Sequence, residues 1–407
     1  MYNVSIIRME KNMPSHHLYD AFPDLEQHKV VAEIDKAALT HNYYILRSLA
    51  KNSEPICVVK ADAYGHVADI CVRVLLSDGC KFFAVSCIEE AIAVRKICLD
   101  EKKDAKIIIL GYTDPALAST LYEYDIIQTI LSLEYAKSLS AYAKSSGVAI
   151  HAHVAIDTGM NRIGLCANSP EECVAATDEI CEITKLECIL LDGMFTHFAR
   201  SDEESSITLS DDSHTRRQGE RFIRVRNLLT ERGISLFAHA CNSAATVRFP
   251  EFSFDGVRLG IMLYGIYPSR HMGGIDLRPI MTLKTVIAHV HTVPVGESVS
   301  YGGIYKAQHA TRVATLPIGY ADGFIRAYSG AVVTVKSQNG DLRAPVIGRV
   351  CMDQCMIDIT GLDVSVGDNV VIFGEDPSDL SRLASLANTI EYECLCLISA
   401  RVPRISK

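Results

Sequence analysis

Short apolar segments alternate with helical patterns along most of the first 260 residues, and this alternation constrains the fold more than any other feature. Counting from Ile56, eight apolar runs are predicted to be strands, the first ending at Val59 and the last at Leu259, with helical patterns between them. Strands that alternate with helices about eight times predict a parallel (β/α)8 barrel of the TIM type. A further strand candidate, Val30–Ile34, precedes the series and belongs either to the barrel or to a later β domain.

The pattern changes from about Arg278, where short β-like segments separated by Gly and Asp turns replace the alternation. We therefore expect an N-terminal extension over 1–29, a barrel over 30–272 and a mainly-β domain over 273–407. Within the β domain, the sequence predicts β structure over Met281–Val293, a helix near Ser378–Ala387 and a last strand near Leu397–Val402.

Composition excludes several classes of partner. The 407 residues carry a net charge of −9 without a basic run, which argues against nucleic acid. No apolar run approaches the roughly 20 residues that span a bilayer. The 14 cysteines are scattered and lack paired CxxC spacing, so we interpret them as reduced core residues and expect no metal site. The first 29 residues lack the apolar core of a signal peptide, which favours a cytoplasmic protein.

A lysine, Lys60, comes directly after the first predicted barrel strand, and Tyr64 and Gly65 follow it closely. Reacting groups of β/α barrels lie at the carboxyl ends of the strands. A lysine that loses solvation there can become a neutral amine and form an imine with an aldehyde. The alternative is an ordinary exposed lysine just after a strand, and this stretch alone does not decide between them.

Four more clusters follow predicted strands five to eight: Asp157–Gly164, Gly193–Ala199, His239–Ala244 and Arg258–Ile261. Each has an ordinary explanation by itself, such as an ion pair, a core histidine, a helix cap or a turn. Their shared position on one barrel face indicates a site. A lysine, an arginine, a histidine and a phosphate cradle together favour pyridoxal phosphate, whereas a sugar phosphate would not need Lys60. The candidate cradle consists of Asn242, Ser243, Gly260 and Ile261.

Taken in order, these clusters and several later ones resemble the motifs of the alanine racemases, a pyridoxal-phosphate family with a β/α barrel followed by a β domain. The resemblance extends from about Val30 to Arg404. It is carried by Val59–His66, Asp157–Gly164, Thr196–Ala199, Asn242–Ser243, Arg258–Ile261, Ser300–Gly302, Ile318–Gly323, Gly348–Gln354 and Arg401–Arg404.

The resemblance implies a role for each matching residue. Lys60 would hold the cofactor and act as one catalytic base, and Tyr301 of the other subunit would act as the second, on the opposite face of the substrate. Arg258 would face the pyridine nitrogen and Arg162 the substrate carboxylate. The remaining matches are His197 beside the ring, Tyr64, Asn242, Ser243, Gly260 and Ile261 around the phosphate, Met352 at the substrate carboxylate, and Tyr320 and Asp353 at the mouth and inner gate.

The implied protein is a homodimeric isomerase with shared sites that interconverts L- and D-alanine and supplies D-alanine for peptidoglycan. Two alternatives stay open at this point: an amino-acid decarboxylase of the same two-domain plan, and a non-catalytic carrier of pyridoxal phosphate.

Two positions depart from the family pattern. Ala155 stands where many members carry a modified lysine that pairs with the arginine equivalent to Arg162. We therefore expect Arg162 either to pair with another anion, such as Asp157 or chloride, or to be held less firmly. Ala400 stands where many members carry a tyrosine beside the substrate pocket. Our hypothesis is that Ala400 widens substrate acceptance from alanine to serine.

Overall fold

The computed structural model describes residues 29–203, 212–269 and 272–407. These residues form two compact units, Asp35–Ile280 and a second unit that joins residues 29–34 to Met281–Lys407. The sequence-based domain limits of 30–272 and 273–407 stay a prediction, and most of the proposed N-terminal extension lies outside the described residues.

Eight parallel strands of the first unit close into a ring. The first pairs with the last, placing Ile56 opposite Arg258, and the fourth pairs with the fifth. The predicted β/α barrel is therefore confirmed. Its strands in chain order are Glu54–Val58, Phe82–Val85, Lys106–Ile109, Ile127–Ile130, Ile150–Asp157, Ile189–Phe195, Phe237–His239 and Gly256–Leu259.

Helices surround this ring, and polar side chains define where several of them begin. Asp35, Ser132 and Ser169 each accept a hydrogen bond from a backbone N–H of the first helical turn. The barrel strands pack against these helices with apolar side chains; all four residues of Phe82–Val85, for example, are buried. The helices are Lys36–Ala50, Ala68–Ser77, Ile88–Asp100, Ala118–Glu123, Leu133–Ser145, Pro170–Ile183, Asp212–Glu231 and Ser243–Arg248.

The second unit is built on a nine-stranded, mostly antiparallel sheet, which confirms the predicted mainly-β character. Val30–Ile34 joins this sheet, antiparallel to Met281–Val286 and parallel to Arg404–Ser406. In spatial order the strands are His289–Val293, Thr311–Leu316, Cys355–Asp358, Gly340–Ile347, Val332–Ser337, Asn369–Phe373, Met281–Val286, Val30–Ile34 and Arg404–Ser406.

In the β unit, one β-like stretch is divided between two strands, and one predicted strand is wrong. The β structure predicted over 281–293 is present as two strands, Met281–Val286 and His289–Val293. The chain changes neighbours between them, since the Ile287 N–H bonds Asp368 O and the Ala288 N–H bonds Thr315 O. The strand predicted near 397–402 is wrong: this stretch consists of turns that follow the helix Glu391–Cys396, and the last strand begins at Arg404. A short apolar run is compatible with either structure. The predicted helix before it is present as Pro377–Leu386.

Candidate active site

Lys60 lies two residues after the end of the first barrel strand, at the start of a left-handed turn. Ala61, Asp62, Ala63 and Tyr64 all have φ between +52° and +55°. The left-handed conformation costs a non-glycine residue about 1–2 kcal/mol, and runs of it are rare. The helix that the sequence predicts from Gly65 therefore begins only at Ala68.

The carboxyl ends of the strands surround a cavity of about 300 Å³ within the barrel unit. Its walls carry four of the predicted site residues, Lys60, Arg162, His197 and Arg258. The cavity is also lined by Ser86, Leu110, Gly111, Ala155, Ile156, Asp157, Met160, Ile163, Phe195 and Thr196. Residues from distant parts of the sequence thus meet at one end of the barrel, where the strand count placed them.

Arg258 is almost fully buried and is surrounded by hydrogen-bond acceptors. Its Nη1 bonds His239 Nδ1 at 2.8 Å and His239 O at 3.0 Å. Its Nη2 lies 2.7 Å from Thr196 O, 2.9 Å from Ala240 O and 3.3 Å from His197 Nδ1. Burial, aided by Arg162, lowers the pKa of Arg258 to about 10. Arg258 therefore remains a cation at neutral pH.

The histidines that contact Arg258 are neutral. Burial, followed by the charge of Arg258, holds the pKa of His239 and of His197 well below the ordinary histidine value. Since a guanidinium only donates, His239 Nδ1 accepts from Arg258, which leaves the proton on Nε2. That N–H points to His153 Nδ1 at 3.0 Å, and burial lowers the pKa of His153 to about 3. The result is a chain of fixed tautomers behind Arg258.

A second group of residues forms a narrow cradle. Ser243 Oγ accepts a bond from the Gly260 N–H at 2.8 Å. A Cβ placed on Gly260 would lie 2.9 Å from Tyr64 Oη and 3.7 Å from Ser243 Oγ, so only a glycine lets these hydroxyls approach the backbone. Asn242 caps the helix that begins at Ser243, with its side chain accepting from the Ala245 N–H. Hydroxyl and backbone donors arranged in this way suit a phosphate.

The loop after the fifth strand is shaped by Asp157. Its carboxylate accepts bonds from the backbone N–H groups of Gly159, Asn161 and Arg162 at 2.9–3.0 Å. Asp157 therefore holds the loop backbone, which differs from the role of guanidinium partner that we expected for it. Ala155 is buried in the cavity wall, and a Cβ on Gly164 would approach the Ala155 carbonyl oxygen to 2.7 Å.

The remaining predicted residues belong to the β unit and have solvent-accessible side chains. Tyr301 is 70% exposed, Met352 53% and Tyr320 40%. Arg401 links the segments that carry Tyr320 and Met352, since it bonds the buried Asp322 at 2.7 Å and Asp353 at 2.6 Å. Ala400 is exposed beside Arg401.

Some residues of the site were not identified from the sequence. For His153 the sequence offers only indirect evidence: the residue lies on a predicted strand, whose alternate side chains point into the barrel. Its ring occupies space left by Gly193, whose Cβ would lie 2.6 Å from it.

Comparison with known proteins agrees with this geometry. Two family models match, "Alanine racemase, N-terminal domain" over residues 34–268 and "Alanine racemase, C-terminal domain" over residues 280–406. The alanine racemase of Clostridium tetani is 40% identical over 385 residues, which cover 92% of this chain and 95% of the relative. That of Clostridium perfringens is 44% identical and covers 93% and 95%. The solved alanine racemase of Clostridium difficile 630 is 37% identical, with a TM-score of 0.84, covering 94% of this chain and 96% of that one.

Proposed function

The chain belongs to the alanine racemase family, and from this premise we propose that it interconverts L- and D-alanine with pyridoxal phosphate as its cofactor. The observation that carries the proposal is the convergence of Lys60, Arg162, His197 and Arg258 on one cavity. Both family domains match, so the decarboxylase and carrier alternatives are not favoured.

The residues present fit pyridoxal phosphate. Lys60 supplies the amine that would hold its aldehyde carbon, and the cradle of Tyr64, Ser243, Gly260 and Ile261, next to the cap residue Asn242, would receive its phosphate. When bound, the cofactor supplies an electron sink that acidifies the α-hydrogen of an attached amino acid. His197 borders the same cavity and would pack against the cofactor ring.

Arg258 would set how strongly that sink acts. Its guanidinium is a fixed cation, held by backbone oxygens and neutral imidazoles. A cation beside a pyridine nitrogen opposes protonation of that nitrogen. Negative charge at the α-carbon would then be short-lived, which favours rapid return of a proton over side reactions.

Two bases on opposite faces of the α-carbon suit racemisation, because one removes a proton and the other returns one to the far side, and we assign these roles to Lys60 and Tyr301. Tyr301 would come from a second copy of the chain, with Met352 binding the substrate carboxylate alongside Arg162, and Tyr320 and Asp353 controlling access. The exposure of Tyr301 and Met352 supports an assignment that needs them to reach another subunit. The protein would then act as a homodimer.

We further infer that the protein works in the cytoplasm and supplies D-alanine for peptidoglycan. The 14 cysteines are all free, which suits a reducing compartment. No helix among the described residues is long and apolar enough to cross a membrane.

Exchange of the α-hydrogen in heavy water tests the proposal directly. Purified protein with pyridoxal phosphate should exchange the α-hydrogen of both alanine enantiomers and racemise them. Borohydride should fix the cofactor on the peptide that contains Lys60, as seen by mass spectrometry. Exchange that persists in Lys60→Ala, or fixation at another lysine, would disprove the role of Lys60.

A further inference from the structure

The turn that carries Lys60 needs support from outside itself. Four consecutive non-glycine residues, Ala61 to Tyr64, adopt the left-handed conformation, which none of them favours. Within the segment, the Ala63 N–H bonds Val59 O and the His66 N–H bonds Ala63 O, at 2.9 and 3.1 Å. Strained backbone of this kind persists only where surrounding groups fix it.

One side chain outside the turn, that of Glu90, binds its first strained residue. Glu90 lies in the first turn of the helix Ile88–Asp100, after the second barrel strand. Its Oε1 accepts from the Ala61 N–H at 2.6 Å. Its Oε2 accepts from both the N–H and the hydroxyl of Ser86, each at 2.9 Å. Ser86 lines the cavity beside Lys60.

We propose that Glu90 is a positioning residue, whose carboxylate ties the strained turn of Lys60 to the end of the neighbouring barrel strand. The proposal rests on the proposed function only where it takes Lys60 to be the residue that holds the cofactor. A carboxylate suits the task because both of its oxygens accept and all three partners donate. A glutamine at this position would direct its NH2 group at the N–H of either Ala61 or Ser86, and an aspartate would be too short to span both.

The competing explanation is that Glu90 merely stabilises the start of its helix, where negative charge is favourable. Glu89 offers a matched control, because it occupies the same helical turn and its side chain is exposed. If the helix start were all that mattered, Glu89→Ala and Glu90→Ala would have similar consequences.

The first test measures hydrogen exchange of the Ala63 and His66 amides in full-length protein without cofactor. Neither amide contacts Glu90, so their exchange reports the whole turn. We expect Glu90→Ala to accelerate both about tenfold or more, Glu90→Gln to accelerate them less, and Glu89→Ala to leave them unchanged. Equal exchange in Glu90→Ala and wild type would overturn the proposal.

The second test is a rescue. Ala61 is exposed, so Ala61→Gly removes little packing while allowing φ near +53° without strain. In the double variant Glu90→Ala/Ala61→Gly, amide protection should recover in part. A stabiliser of the helix start alone would not be rescued by a glycine in a different segment, so absence of recovery would count against the positioning role.

The third test measures cofactor attachment and turnover. Glu90→Gln should lower the rate at which Lys60 captures pyridoxal phosphate, and borohydride fixation at successive times measures that rate. The same variant should lower kcat more than KM. Unchanged capture together with accelerated exchange would show that the turn does not position Lys60. Because amide exchange needs neither cofactor nor substrate, failure of the proposed function would leave the first two tests readable.

Discussion

Replacing Arg258 by lysine should destabilise the barrel although the charge is kept. Arg258 bonds five acceptors, contributed by His239, Thr196, Ala240 and His197. An ammonium group presents three donors at a single point, so at least two of the five acceptors lose their partner. Each buried acceptor left unpaired costs about 1–3 kcal/mol, which gives about 2–6 kcal/mol in unfolding free energy. For a unit of this size, the melting temperature should fall by roughly 5–20 °C.

Arg95→Lys is the matched control for this change. Arg95 is also buried in the barrel unit, but it hydrogen-bonds three acceptors, Tyr124 O, Asp125 O and the Asp125 carboxylate, and its further ion pair with the exposed Asp104 is long, at 4.0 Å. Three donors can satisfy three acceptors, so its loss of melting temperature should be small. Calorimetry on both variants measures their melting temperatures relative to that of the wild type. If Arg258→Lys melts no lower than Arg95→Lys, the number of acceptors does not explain why an arginine is needed here.

The Arg258→Lys variant should also gain a pH dependence. Burial lowers the pKa of Arg258 from 12.5 to about 10. The same displacement would bring a buried lysine to a pKa of roughly 8. Between about pH 8 and 10 the unfolded chain would then bind a proton that the folded chain does not, so stability rises with pH. Melting temperatures of the variant, relative to wild type, should rise across that range; a flat difference would contradict the argument from burial.

Four further predictions concern single residues. Gly260→Ala places a Cβ 2.9 Å from Tyr64 Oη, so affinity for pyridoxal phosphate should fall about tenfold by equilibrium titration, and unchanged affinity would remove the cradle from the phosphate site. Tyr301→Phe should slow α-hydrogen exchange from one alanine enantiomer far more than from the other; equal slowing would contradict a two-base mechanism. Ala400→Tyr should lower the kcat/KM for serine relative to alanine about tenfold, as expected for refilling a pocket; negligible serine racemisation by wild type, not lowered further by the substitution, would end the specificity hypothesis. His153 stays neutral when folded but takes a proton when unfolded, so acid below about pH 6.5 destabilises the fold. His153→Gln, which retains an acceptor for His239, should weaken that dependence in pH-resolved melting curves.

The barrel could be predicted from the sequence because its pattern is imposed by burial. A barrel strand packs against helices on its outer face and against other side chains inside the barrel on its inner face. Both faces are therefore apolar, as in Ile107, Ile108 and Ile109. The position of the site followed from the same pattern, since clusters at the carboxyl ends of parallel strands must meet on one face. The end of the β unit lacked such a signal, because the apolar residues before Arg404 fit a helix as well as a strand.

Side-chain partners were harder to predict than positions. Asp157 is near Arg162 in the sequence, which made a charge pair the natural expectation, yet backbone N–H groups in the tight loop compete for the same oxygens. His153 stands two residues before Ala155 and resembles any core histidine until His239, 86 residues away, is placed against it. Such contacts depend on how distant strands come into register, and no local pattern encodes that register.

The strained turn at Lys60 marks the physical limit of the sequence argument. Nothing in the residue types of Ala61–Tyr64 favours the left-handed conformation, and local preference pointed to a helix beginning at Gly65. The turn is bonded from outside by Glu90, which is 29 residues from Ala61 in the sequence, and a contact over that separation is not encoded by local preference. The backbone of a strained turn that is bonded to its surroundings has few accessible conformations, and this restricts the position of the lysine that it carries. The disagreement between local preference and structure therefore falls beside Lys60, the residue that we propose holds the cofactor.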